Sequence, residues 1–167
     1  KGGNLMKKIF GILLVVLLVS SLIMGCSSEG ASKEDEDVIK IGVFEPLTGD
    51  NAAGGAMEVE GIKLANKMYP EVLGKKIVLE IADNKSEKVE AANAATYLID
   101  NGKVVAIIGS WGSSLSMAAG PIAEENKIPV VAPSATNPLV TLGNDWYFRV
   151  CFIDPFQGRV MANYAFT

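Results

Sequence analysis

From Ile39 onward, short runs rich in β-branched residues alternate with stretches whose apolar residues recur at helical spacing. That alternation constrains the fold more than any other feature of the sequence. Ile39–Phe44 is a β-rich run closed by Pro46 and Gly49. Met57–Met68 carries Met57, Ile62, Leu64, Ala65 and Met68 on a helical pattern, ended by Pro70 and Gly74. Lys76–Ala82 alternates as Ile77, Leu79 and Ile81, the pattern of a strand. Ser86–Asn101 predicts a helix with Val89, Ala92, Thr96 and Ile99 on one stripe and Gly102 as its stop. Val104–Ile108 is a continuous apolar run, as in a strand covered on both faces. Ser113–Asn126 reads as a third helix, in which Pro121 either makes a kink or marks where the regular part begins. Pro129–Ala132 and Trp146–Val150 read as further strands. Asp154-Pro155-Phe156-Gln157 then offers an N-cap, a proline at N1 and a glutamine at N3, opening a last helix that runs to Thr167. The implied fold class is α/β: a doubly wound parallel sheet with helices on both faces.

The residues before this region read as an address. Lys7 and Lys8 form a positive start, and Ile9–Met24 is nearly unbroken apolar sequence ending in small residues. The run is shorter than the roughly 20 residues a spanning helix needs. Its end, Met24-Gly25-Cys26-Ser27, resembles a lipobox, in which the Cys26 thiol is lipidated and becomes the new N-terminus. The alternatives are a plain secretory signal or a transmembrane anchor. Residues 6–25 are thus expected to be a lipoprotein signal peptide and 26–37 a flexible tether. The tether has no apolar side chain larger than alanine and cannot offset its ordering entropy. Residues 1–5 read as translated leader ahead of a start at Met6, since Lys-Gly-Gly suits a purine-rich ribosome-binding stretch. Residues 38–167 form the remaining domain.

Composition excludes several functions. The chain of 167 residues has no histidine, which removes the usual general base and the commonest metal ligand. A Ser-His-Asp triad is therefore impossible within it. No G-x-S-x-G elbow, phosphate-binding P-loop or G-x-G-x-x-G pattern is present. We expect no enzyme activity, no cofactor and no metal site. Net charge is −4 without a basic stripe, which argues against nucleic acid as a partner. Cys26 and Cys151 are too few for a disulfide framework, and Cys151 reads as a buried free thiol. Asp83, Asp145 and Asp154 lie in different connections, and Asp154 is better explained as a helix cap than as a catalytic acid.

In open parallel sheets, ligands bind beyond the carboxyl ends of the strands. Three loops meet that condition: Pro46–Gly55, Gly109–Ser114 and Pro133–Pro138. The second puts small residues and hydroxyls at a helix N-terminus, where free N–H groups favour an anion such as a carboxylate. Ser113 either joins those N–H groups or only caps its own helix. In the third loop, Thr136 can donate from hydroxyl and backbone, and the Ser134 and Ala135 carbonyls can receive an ammonium. The alternative there is a rigid turn with Thr136 bonded to its own backbone. Trp111 is either a pocket wall or a partly buried surface aromatic.

Ile39-Lys40-Ile41-Gly42-Val43 with Pro46-Leu47-Thr48-Gly49 resembles the opening of the periplasmic leucine/isoleucine/valine-binding proteins. So do Gly61, Ile107-Ile108-Gly109, and Pro121-Ile122-Ala123-Glu124. Ile128 to Pro138 is the strongest stretch, and Phe148-Arg149 with Asp154-Pro155-Phe156-Gln157-Gly158 adds to it. The likeness spans Val38–Thr167. It implies a type I periplasmic binding protein, whose two α/β lobes close on a solute and deliver it to an ATP-driven (ABC) importer. Residues 38–167 would be ligand-binding lobe one, truncated in its last helix, with lobe two missing. By the same resemblance, Ser113 and Thr136 hold a ligand carboxylate, and the Ser134 carbonyl with Thr136 meets the ammonium. The resemblance also implies that Trp111, Gly112 and Ala135 line the site. Gly54 stands where relatives often carry a bulky aromatic, which leaves side-chain selectivity open. The expected partners are an amino acid or similar small molecule, ABC permease subunits and, through the lipid, the membrane. The expected location is the outer face of the cell membrane, or the periplasmic side in a two-membrane cell. A sensing module of the same fold coupled to a receptor is the alternative. Half a clamp should bind ligand weakly, because lobe two supplies the acidic group that completes the ammonium site.

Overall fold

A computed structural model describes residues 38–167. The leader, signal, Cys26 and tether readings lie outside the described residues. Strand β1 (Val38–Glu45) sits inside the sheet, paired with a parallel strand on each edge, and its last four residues are buried. Its period of two puts Gly42 and Phe44 on one face and Ile41, Val43 and Glu45 on the other. Helix α1 (Ala52–Met68) follows, then the two-residue strand β2 (Glu71–Val72) and strand β3 (Lys75–Asp83). Helix α2 (Lys88–Asp100), β4 (Ala106–Ile108), α3 (Ser113–Asn126), β5 (Val130–Ala132), a 3₁₀ turn (Pro138–Val140), β6 (Tyr147–Arg149) and α4 (Asp154–Ala165) complete the order.

The strands lie in the order β2-β3-β1-β4-β5-β6. Every pair is parallel except β2–β3, an antiparallel edge hairpin. The doubly wound α/β expectation therefore holds, with β2 as an element it did not include. Winding reverses between β1 and β4, the switch point at which connections diverge to opposite faces and leave a crevice.

The main core lies between the sheet and α2 with α3. Phe44, Ile107, Val130, Ala132 and Tyr147 from the strands meet Ala91, Ala95 and Leu98 of α2 and Leu115, Ala119 and Ala123 of α3. Alanines on both helices let them approach the sheet and each other closely. Leu98 is fully buried, and a side chain of that size contributes about 2 kcal/mol by its removal from water. On the opposite face α1 is held more loosely. Only Gly55 and Val59 of that helix are buried. An apolar groove of about 500 Å³ separates Ile62, Ala65 and Tyr69 from Ile41, Ile77 and Leu79.

Three local readings need correction. α1 begins at Ala52, five residues before Met57, with Gly54 and Gly55 inside its first turn. Ile153, not Asp154, is the N-cap of α4, and no side chain caps it. The Gln157 N–H bonds to the Ile153 carbonyl at 3.1 Å, so Asp154 is the first helical residue and the cap motif is shifted by one. Cys151 is a free thiol but only half-buried, its Sγ 3.5 Å from the Ala135 carbonyl. α3 runs through Pro121 as one helix.

Candidate functional site

α3 starts where β4 ends, after a four-residue loop. Gly112 precedes the helix at φ 93°, a conformation that glycine adopts without a side-chain penalty. Ser113 is the first helical residue, and no side chain caps the helix. Its hydroxyl instead accepts the Asn137 N–H at 3.1 Å, across 24 residues of sequence. This contact joins the loop after β4 to the loop after β5 at one rim of the sheet. Having accepted one bond, the Ser113 hydroxyl keeps its own proton to donate. Helical geometry leaves the first N–H groups of α3 pointing the same way.

The loop after β5 is fixed by Arg149. Its Nη1 donates to the carbonyls of Ala135 (2.7 Å) and Asn137 (2.9 Å). Its Nη2 donates to the Pro138 carbonyl (3.2 Å) and the Thr141 hydroxyl (2.9 Å). Thr136 is thus bracketed by two carbonyls that one guanidinium holds, and its own carbonyl accepts the Asp154 N–H at 3.1 Å. The Asn137 side chain accepts from the Leu139 N–H and caps the 3₁₀ turn. Ala135 does not line an opening: it is fully buried, and its carbonyl is engaged by Arg149 and Cys151. Of the two carbonyls considered for an ammonium, this leaves Ser134. The Ser134 hydroxyl is buried without a partner.

Trp111 is 40 % exposed, and its indole lies against Gly54 of α1. It occupies the space that a side chain at position 54 would take. The loop after β1 is strapped to the turn after β3. Asp83 accepts the Leu47 and Thr48 N–H groups at 2.8 and 3.3 Å and the Thr48 hydroxyl at 2.7 Å. Partial burial works against the Asp83 charge, but those donors and the Lys85 N–H outweigh it and hold the carboxyl below its usual range.

Beneath the loops lies a buried polar framework that sequence reasoning missed. Asn84 donates to the Ser110 hydroxyl at 2.8 Å, and Ser110 and Ser116 are bonded to each other. The Tyr147 phenol donates to the Gly109 carbonyl at 2.9 Å, and its burial pushes it well above the ordinary phenol range. The Trp111 N–H donates to Glu45 at 2.6 Å. A polar residue at the last position of a buried strand was the available signal for Glu45, and Arg149 stood unused in the Phe148-Arg149 pair. Among the described residues, no three His, Cys, Asp or Glu side chains gather as a metal-ligand set.

Residues 38–167 match the family model described as periplasmic binding protein. An amino acid binding protein of Pseudomonas aeruginosa is 35 % identical over 162 residues, 95 % of this chain and 42 % of the relative. Leu/Ile/Val-binding protein homolog 3 of Brucella melitensis is 32 % identical over 89 % of this chain and 41 % of its own length. The chain therefore spans about two fifths of these relatives. Among solved structures, the leucine binding protein LivK of Thermotoga maritima superposes with a TM-score of 0.74 at 54 % identity, covering 78 % of this chain and 37 % of that one. LivJ of Streptococcus pneumoniae, solved with isoleucine, gives 0.72 at 38 % identity over 76 % and 37 %. With the family match extending over the whole described region, and a parallel sheet whose loops after β4 and β5 meet at Ser113 and Asn137, this chain belongs to the periplasmic binding protein family.

Proposed function

We propose that this chain supplies one half of the binding site of an extracytoplasmic solute-binding lipoprotein, which delivers a branched-chain or related amino acid to an ABC permease. One observation carries the reading: the Ser113 hydroxyl accepts the Asn137 N–H, joining the loops after β4 and β5, so Ser113 and Thr136 stand on adjoining loops. In this reading Ser113 and Thr136 donate to the ligand carboxylate, the Ser134 carbonyl with Thr136 receives the ammonium, and Trp111 and Gly112 line the site. A third solved relative, from Rhodopseudomonas palustris, holds 3,4-dihydroxybenzoic acid at 30 % identity and a TM-score of 0.67. Isoleucine and that acid share a carboxylate and little else. A lobe that reads the carboxylate, with side-group selectivity set elsewhere, suits both.

The test is a thermal-shift screen of the intact protein against an amino acid panel. A true ligand at a hundredfold excess over its dissociation constant stabilises by about 2.7 kcal/mol. Ser113→Ala and Thr136→Ala should each weaken that ligand about tenfold or more, since each removes a donor to a charged group. A panel without any shift, or variants that bind as the parent does, would remove the reading.

The lipid anchor is a separate part of the proposal. Mass spectrometry of the exported protein should find acyl chains on Cys26, and Cys26→Ser should release the protein from the membrane fraction. An unmodified thiol, or a cleavage site elsewhere, overturns it.

A further inference from the structure

Glu45 ends β1 with no exposed surface, on the same face of the sheet as α1. One carboxylate oxygen, Oε2, accepts the Trp111 N–H at 2.6 Å. The other, Oε1, is buried with no donor, and Oε2 of Glu58 on α1 is buried with no donor either. Glu58 bears on the Glu45 carboxyl and raises it, and each of the two carboxyls keeps one buried oxygen unpartnered. Two ionised carboxylates can only accept, so neither orphaned oxygen can satisfy the other unless one of the pair carries a proton. One proton would satisfy both orphaned oxygens at once.

We propose that Glu45 and Glu58 share a single proton, and that this carboxyl–carboxylate pair holds the Trp111 loop and α1 in their binding-competent arrangement. Every group that faces Glu45 fits that state. α1 contributes Glu58, the β4–α3 loop contributes the Ser110 hydroxyl and the Trp111 N–H, and β6 contributes the Tyr147 phenol. The carboxylate of Asp83, paired with Glu45 in the sheet register, is turned to Leu47 and Thr48. None of these groups is a cation. Burial is the main reason the Glu45 carboxyl is pushed up to about 9; the Trp111 N–H pulls the other way and Glu58 adds to the rise.

Losing the proton would leave two like charges in contact inside the protein. They would separate, Glu45 would pull away from the Trp111 N–H, and negative charge would stand behind a loop meant for an anion. Glu45 and Glu58 are therefore positioning residues, acting through Trp111. The unfolded chain releases the proton near 4.5 and the folded chain near 9. Folding takes up a proton between those values, so stability falls as pH rises through that window.

The effect on ligand rests on the function proposed above; the proton itself does not. The direct test is ¹³C NMR of the intact protein labelled at glutamate carboxyl carbons. One glutamate signal should titrate in the alkaline range and disappear in Glu45→Gln. Melting temperature without ligand should fall several degrees between about pH 5 and about pH 9, and Glu45→Gln should flatten that slope. Ligand affinity should fall about tenfold over the alkaline half of the window, and Glu45→Gln should abolish the fall. If no amino acid binds at any pH, the function reading fails while the first two measurements still decide on the pair. If every glutamate carbon titrates below neutral pH, or the variant melts with the parent's pH slope, the pair is refuted.

Discussion

Arg149→Met should cost about 3 kcal/mol of stability and weaken ligand binding about tenfold or more. The guanidinium gives four bonds to the segment from Ala135 to Thr141, and its partners are three carbonyls and a hydroxyl. Hydrogen bonds from a charged donor contribute about 1.5–3 kcal/mol, and each buried acceptor left behind adds a desolvation cost. Methionine keeps the packing of the stem and removes all four donors. Arg149→Lys separates charge from geometry. A lysine keeps the positive charge near the proposed carboxylate site but cannot span carbonyls on both sides of Thr136. We expect it to recover less than half of the stability and little of the affinity. Urea denaturation measures the first and calorimetry on the intact protein the second. If methionine leaves the urea midpoint unchanged, the clamp is not what fixes the Thr136 loop.

The ease with which the sheet was read, and the difficulty with this clamp, have the same physical origin. β4 was legible because a strand covered on both faces must be apolar throughout, and Ala106–Ile108 leaves no other interpretation between its turn signals. That the loops carrying Ser113 and Thr136 adjoin was legible because the carboxyl ends of neighbouring parallel strands lie side by side. Glu45 and Arg149 were not, since their partners are remote in sequence. Glu45 meets an N–H 66 positions away, and Arg149 reaches back as far as Ala135. No local pattern marks a strand-end carboxyl as buried or an arginine as bonded to carbonyls. β2 escaped for a different reason. It is two residues long, and it turns into β3 through Leu73 and Gly74 at φ 55° and 75°. Leucine is a poor sequence signal for that turn.

The misplaced start of α1 shows what nonlocal packing does to a local reading, and it leads to the second large effect. Two adjacent glycines normally argue for a turn. Here they lie in the first turn of a helix because the surroundings leave no room for a side chain. A Cβ at Gly55 would stand 2.1 Å from the Pro46 carbonyl oxygen and 2.8 Å from the proline ring. Backbone at that distance cannot move without dragging the end of β1 and Glu45 with it. Gly55→Ala should therefore cost about 3 kcal/mol or more, although alanine is the better helix former by about 1 kcal/mol. Gly54→Ala meets a different obstacle. Its Cβ would come within 2.4 Å of the Trp111 indole, a side chain exposed enough to swing aside. That change should cost only about 1 kcal/mol, and removing the ring should cancel it. In urea denaturation, Trp111→Ala combined with Gly54→Ala should be about as stable as Trp111→Ala alone, while Trp111→Ala should do nothing for Gly55→Ala. A Gly55→Ala protein as stable as the parent would mean that α1 does not begin at Ala52. A Gly54→Ala cost that survives removal of the indole would mean that Trp111 does not pack against Gly54.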